Sequence, residues 1–284
     1  MDKALDRSPS NSHSDSLSNS GSIGVFDSGL GGLTVLSAIQ EKLPSENLVY
    51  FGDTARVPYG SKSKETIIRY SEEILSFLEG KNVKCIVVAC NTASSHALEH
   101  LREKSALPIL GVVEPGAKAL VEQFPDVKHA AVIATRSTIK SGAYEKEIKK
   151  LNAGIKLYSR DCPLFVPLIE EGFSNKKVAE LIIRDYMDEV ARENISHVIL
   201  GCTHYPLLKD SIVNVYPDIQ LIDSSTETAR VLESSLLENS LTNTSKERGK
   251  IQLYVSDITD SLLDMEKLFF GNTIDKVEKI QLGW

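Results

Sequence analysis

The sequence predicts an α/β protein built from two pseudosymmetric, open parallel-sheet domains with a site in the cleft between them. Short apolar runs rich in β-branched residues alternate with amphipathic stretches from Ile23 onward. Those runs do not alternate polar with apolar, which is the pattern of strands buried on both faces by helices. A motif near the middle of the first half also returns in the second half. Cys85-Ile-Val-Val-Ala-Cys90-Asn-Thr92 is matched by His197-Val-Ile-Leu-Gly-Cys202-Thr-His204, each an apolar run ending in cysteine and then small polar residues. Upstream of each stands a second matching pair, Gly24-Val-Phe-Asp27-Ser28 and Ala131-Val-Ile-Ala-Thr135. A duplicated unit explains both pairs at once.

Composition narrows the classes open to such a fold. Hydrophobic residues make up 42% of the 284 and charged residues 25%, a balance that supports real cores. No apolar run approaches the roughly 18 residues of a membrane helix. The net charge of −7 and the lack of any Lys/Arg block argue against nucleic-acid binding. Residues 1–22 carry a serine at nearly every second position from Ser8 and nothing to bury, so they are expected to be a disordered tail. The tail lacks the apolar core of a secretory signal, and the protein is expected to be cytoplasmic with its four cysteines reduced.

Strands are expected at Ile23–Asp27, Leu48–Phe51, Val83–Ala89, Pro108–Val113, Ala130–Ala134, Ile155–Ser159, His197–Leu200, Ile219–Ile222 and Ile251–Val255. Ile67, Tyr70, Ile74 and Leu78 mark one helical face between them. Val178, Ile182, Tyr186 and Val190 mark another, with Ser174 as its expected N-cap. The last strand can rejoin the first unit, which gives domains of 23–114 plus 226–284 and of 115–225.

In open parallel sheets ligands bind off the carboxyl ends of the strands, so each unit offers a cysteine at its binding edge. Cys85 lies within an apolar run and Cys162 at the head of a loop, and both read as core residues. Cys90 and Cys202 each close a strand before an expected helix, where backbone N–H groups favour a thiolate. Neither is followed by the arginine of a phosphatase loop, and no Cys-x-x-Cys pair exists. A zinc site from Cys90, Cys202, His96 and His204 lacks paired-ligand spacing. The loop Asp27-Ser-Gly-Leu-Gly-Gly32 is neither a P-loop nor a convincing dinucleotide fingerprint. It reads as a close-approach turn holding Asp27 and Ser28 over the ligand edge, before a helix near Thr34–Leu43. Val57-Pro-Tyr-Gly60 is a second turn, offering the Tyr59 hydroxyl and a bare Gly60 N–H.

These motifs, with Pro163-Leu-Phe-Val-Pro167, Glu170 and Gly201-Cys-Thr-His-Tyr-Pro206, resemble the glutamate racemases in order and spacing, from about Ile23 to Gly283. The resemblance implies cofactor-independent interconversion of L- and D-glutamate that supplies peptidoglycan, with no metal. It implies Cys90 and Cys202 as opposed acid/base thiols, and Asp27, Ser28, Tyr59, Gly60, Asn91, Thr92, Thr203 and His204 as substrate-binding residues. Glu170 matches the acidic residue beside the second cysteine. A homodimer is implied too, and a cell-wall precursor regulates some members.

The chemistry of the residues agrees. Inverting an α-carbon needs a base on one face and an acid on the other, and thiols titrate close enough to neutrality to serve as both. Asp27 and His204 are expected to assist proton movement, each at its own thiol. A racemase acting on aspartate or another small acid, and a non-catalytic binder of an acidic metabolite, are the competing readings. A binder would need neither cysteine.

Overall fold

The computed structural model describes residues 19–271 and 273–283. Among the described residues, ten strands form two all-parallel sheets. The first unit holds β1 (Ser22–Asp27), β2 (Leu48–Gly52), β3 (Val83–Val88) and β4 (Ile109–Gly111). The second holds β5 (His129–Ala134), β6 (Lys156–Asp161), β7 (His197–Gly201) and β8 (Gln220–Asp223). The chain then returns to the first sheet with β9 (Ile251–Val255) and β10 (Lys276–Lys279). The orders are β10-β9-β2-β1-β3-β4 and β6-β5-β7-β8. Setting aside the two added strands, both sheets repeat one order, and β3 and β7, which run into Cys90 and Cys202, occupy the same place in it.

The central strands are buried on both faces, which is why they read as apolar runs, whereas the edge strand β6 (Lys-Leu-Tyr-Ser-Arg-Asp) is only half-buried. Ile23 and Val25 of β1 pack with Leu33, Leu36 and Ile39 of the helix Leu33–Lys42. Phe26 joins Phe51, Ile67, Ile74 and Leu78 on the other face, under the helix Lys64–Glu79. In the second unit Ala131 and Ile133 face the helix Lys177–Arg192, and Ala130 and Val132 face the helix Val113–Gln123.

Several boundaries differ from expectation. The predicted strand 108–113 is only Ile109–Gly111, because Val113 already opens a helix. The buried stripe of Lys177–Arg192 is Ala179, Ile183, Tyr186, Met187 and Val190, while Val178 is exposed. Its N-cap is Lys176, not Ser174, whose carbonyl accepts from Ser211. β10 carries one apolar residue, Val277, among three charged ones, as befits an edge strand, so periodicity does not reveal it.

The expected tail needs shortening at its inner end. Residues 1–18 lie outside the described residues, but Ser22 opens β1 and its N–H donates to Asn82. Lys84 Nζ donates to the Asn19 carbonyl at 2.9 Å. Among the described residues, no helix is long and apolar enough to cross a membrane.

Candidate active site

Cys90 stands between β3 and the helix Asn91–His96 and serves as that helix's N-cap. Its Sγ accepts from the Ala93 N–H and donates to Ser28 Oγ, both at 3.5 Å. Burial, then the nearby Asp27 charge, pushes this thiol up to about 12, so it rests protonated at neutral pH.

Cys202 follows β7, the repeat-equivalent strand, and meets a different neighbour. His204 Nδ1 is 3.9 Å from Cys202 Sγ, and His204 Nε2 is 3.0 Å from Glu170 Oε1. Burial alone would lower the imidazole's affinity for its proton. Its bonds to Cys202 and Glu170, with the charge of Asp27, overcome burial and carry it to about 10. His204 is therefore an imidazolium at neutral pH.

Both sulfurs line one cavity of about 20 Å³ between the units. Ser28, Tyr59, Gly60, Asn91, Thr92, Thr203 and His204 line it with them, so this much of the predicted set is brought together. Thr135, Val57, Pro58 and Val166 complete the wall. Sequence reading left Thr135 out of the set, although it follows β5 as Ser28 follows β1. Its Oγ1 is 2.9 Å from that of Thr92 in the other unit, and Thr138 closes a triangle of hydroxyls at 3.1 and 3.0 Å. Tyr144, also unforeseen, donates to Asn91 Oδ1 at 2.6 Å. Asn91 Nδ2 is left buried with no partner, a donor held beside the cavity.

Two predicted residues stand behind the wall rather than in it. Asp27 is fully buried and accepts from the Gly29 N–H at 2.9 Å and from Thr203 Oγ1 at 3.3 Å. Burial raises its affinity for a proton, and the His204 charge works against that. Of the two cleft thiols its charge bears on Cys90, and it also acts on the His204 imidazole beside Cys202. Glu170 lines a neighbouring cavity of about 320 Å³ on the other side of His204. Tyr59 borders the cleft, but its hydroxyl donates to Asp53, which also binds Arg56 and Ser256. The Tyr59 O–H is therefore committed to a buried carboxylate, which leaves only the phenolic oxygen's lone pairs to a ligand.

Cys85 and Cys162 are buried in separate cores. His96 turns to Ser137, so the four-residue zinc set is not assembled. Among the described residues, no group of three or more His, Cys, Asp or Glu side chains could hold a metal ion.

The family model for Asp/Glu/hydantoin racemases matches residues 23–232. The chain belongs to this family. A glutamate racemase of Persephonella marina is 45% identical over 262 residues, covering 92% of this chain and 98% of that one. The structure of a Francisella tularensis glutamate racemase in complex with D-glutamate is similar at a TM-score of 0.86, with 40% identity over 93% and 98% of the two chains. A Bacillus anthracis glutamate racemase isoform gives 0.87 with 33% identity, over 92% and 98%. The family's match spans both cysteine strands and the loops that join them to the cleft.

Proposed function

We propose that this protein interconverts L- and D-glutamate without a cofactor, using Cys90 and Cys202 as opposed proton acceptor and donor. One observation carries the reading: a cysteine from the end of the same strand in each of two duplicated units lines a single cavity. The curated relatives and the D-glutamate complex support glutamate as the substrate.

In the mechanism one sulfur, as thiolate, takes the α-proton and becomes a thiol. The electron pair stays on the α-carbon and its carboxylate, and the opposite thiol returns a proton to the other face. The two sulfurs finish with their protonation states exchanged. Cys90, held as a thiol, is ready as the acid. The His204 imidazolium, held by Glu170, meets the negative charge that Cys202 carries as the base. The unpartnered Nδ2 of Asn91 and the hydroxyls of Ser28 and Thr92 hydrogen-bond the substrate carboxylates, while the Thr203 hydroxyl is held by Asp27, and Asn91 Nδ2 strengthens its bond as charge moves onto the α-carboxylate. A cavity of about 20 Å³ has room for about one water. The units therefore part to admit a five-carbon diacid and rejoin around it.

The reading extends to a homodimer and to D-glutamate destined for peptidoglycan. Circular dichroism of pure L-glutamate incubated with the protein tests the activity, with L-aspartate alongside. Decay of the signal to zero with glutamate alone is expected. Turnover of aspartate instead would reassign the substrate, and loss of neither signal would leave a binding protein.

A further inference from the structure

The turn Cys202–Thr203–His204 belongs to the second unit but is held by the first. Thr34, in the first turn of the helix Leu33–Lys42, is buried with its Oγ1 3.1 Å from the Thr203 carbonyl oxygen. The same hydroxyl lies 2.8 Å from the Gly31 carbonyl oxygen in its own unit. One hydroxyl has one proton, so the two carbonyls are alternative acceptors or share it. Three residues before Thr34, a Cβ placed on Gly31 would stand 2.4 Å from His204 Nδ1 and 2.4 Å from Thr203 Oγ1. Glycine is thus what lets the first unit's backbone press against the imidazole. Asp27 grips the Thr203 hydroxyl from the same side. Thr203 is therefore held by the first unit at both its hydroxyl and its carbonyl, one residue from the sulfur of Cys202.

We propose that Thr34 is a positioning residue for Cys202: its hydroxyl donates to the Thr203 carbonyl when the cleft is shut and turns to the Gly31 carbonyl when the units part. The inference rests on the two-thiol reading, because that reading requires the cleft to open and close in each turnover. A donor with a second acceptor in its own unit is not stranded by opening, so the tie costs little to break. What the hydroxyl adds in the closed state is placement: it fixes the turn that carries Cys202 where proton transfer takes place. A displaced sulfur transfers the proton more slowly from the bound complex, so the loss appears in kcat.

Thr34→Val removes the hydroxyl at nearly constant volume, and Thr34→Ser keeps it. We expect Thr34→Val to lower kcat/KM on the order of tenfold, the worth of about one hydrogen bond, with most of the loss in kcat. The loss must be equal from L- and D-glutamate, and Thr34→Ser should restore most of it. A second readout does not depend on turnover. Alkylation of Cys202 by iodoacetamide, located by peptide mass, should run several-fold faster in Thr34→Val than in wild type or Thr34→Ser. Gly31→Ala, made separately, should also lower kcat by pushing His204 aside. Wild-type kcat and alkylation in Thr34→Val would overturn the proposal. So would a serine variant as impaired as the valine one, since packing of the methyl and not the hydroxyl would then be at work. If the wild type fails to racemise glutamate, the functional reading falls, while the alkylation comparison still decides the Thr34 tie.

Discussion

Two chemically identical side chains sit in unlike surroundings across the cleft. Cys90 faces a serine hydroxyl and a fully buried carboxylate, whereas Cys202 faces an imidazolium. Serine is too weak an acid and base to replace either thiol, so Cys90→Ser and Cys202→Ser should each abolish racemisation while leaving the circular-dichroism spectrum of the fold unchanged. Near wild-type turnover in either would make that cysteine structural. His204→Asn should lower kcat by about 10²-fold, and more in one direction than the other. L- and D-glutamate have equal free energies in water, so kcat/KM must stay equal in both directions and KM must absorb the asymmetry. Equal wild-type kcat values would reduce His204 to packing. The same residue sets a stability trend. Its proton is held to about 10 in the folded protein, against an ordinary histidine value of about 6.5. Above pH 6.5 the unfolded chain has lost that proton while the folded chain keeps it, so stability falls as pH rises toward 10. The contribution is fully present below 6.5. Urea midpoints from pH 6 to 10 should therefore decline more steeply in wild type than in His204→Gln, and parallel slopes would contradict the assignment. Much of the cavity wall was legible at this scale, because the two cysteine motifs repeat, but Thr135 and Tyr144 were not. Direction was not legible either: the Tyr59 hydroxyl goes to Asp53, and Asp27 lies under the floor, since partners distant in sequence decide both.

At the scale of elements, the central strands were the most readable part, because burial on both faces leaves largely apolar runs. Lys84 is a buried charge inside one of them, β3, and donates to Glu46 at 2.6 Å, to the Leu241 carbonyl at 2.6 Å and to Asn19. This one side chain ties the first strand's approach to the segment that brings the chain back to β9. Glu46 also accepts from the Asn243 N–H. Lys84→Met should destabilise by roughly 3–5 kcal/mol, because it strands a buried carboxylate. Adding Glu46→Leu should recover much of that in denaturant unfolding. No recovery would mean that the lysine's bonds to backbone carbonyls matter more than the ion pair. Helix faces were read less well. In Lys177–Arg192 the apolar residues Val178 and Ile182 compete with Ile183 and Met187 for one stripe, and packing against the β5–β7 face selects the latter pair. Edge strand β10 gave no periodic signal because it has one face to cover and little apolar surface to do so.

For the whole molecule, duplication explains why the cleft carries one thiol per side: each sheet ends its third strand at the shared boundary. The glycine loop of one unit and the thiol turn of the other then interlock through Gly31, Thr34 and Asp27. At the N-terminus, removal of residues 1–18 should leave Tm unchanged, as their composition offers nothing to bury. Removal through Ser22 should lower Tm by several degrees, because it takes the start of β1 and the Asn19 bond of Lys84. Equal Tm values for the two truncations would show that residues 19–22 contribute nothing. The central claim, one base on each side of the cleft, has a direct signature in deuterated water. A proton taken from L-glutamate stays on its own sulfur, while the opposite sulfur delivers a deuteron from solvent. At early times, with L-glutamate as substrate, mass spectrometry of the separated enantiomers should find deuterium in D-glutamate and almost none in the remaining L-glutamate. Equal early labelling of both enantiomers would mean a single shared base and would contradict the account.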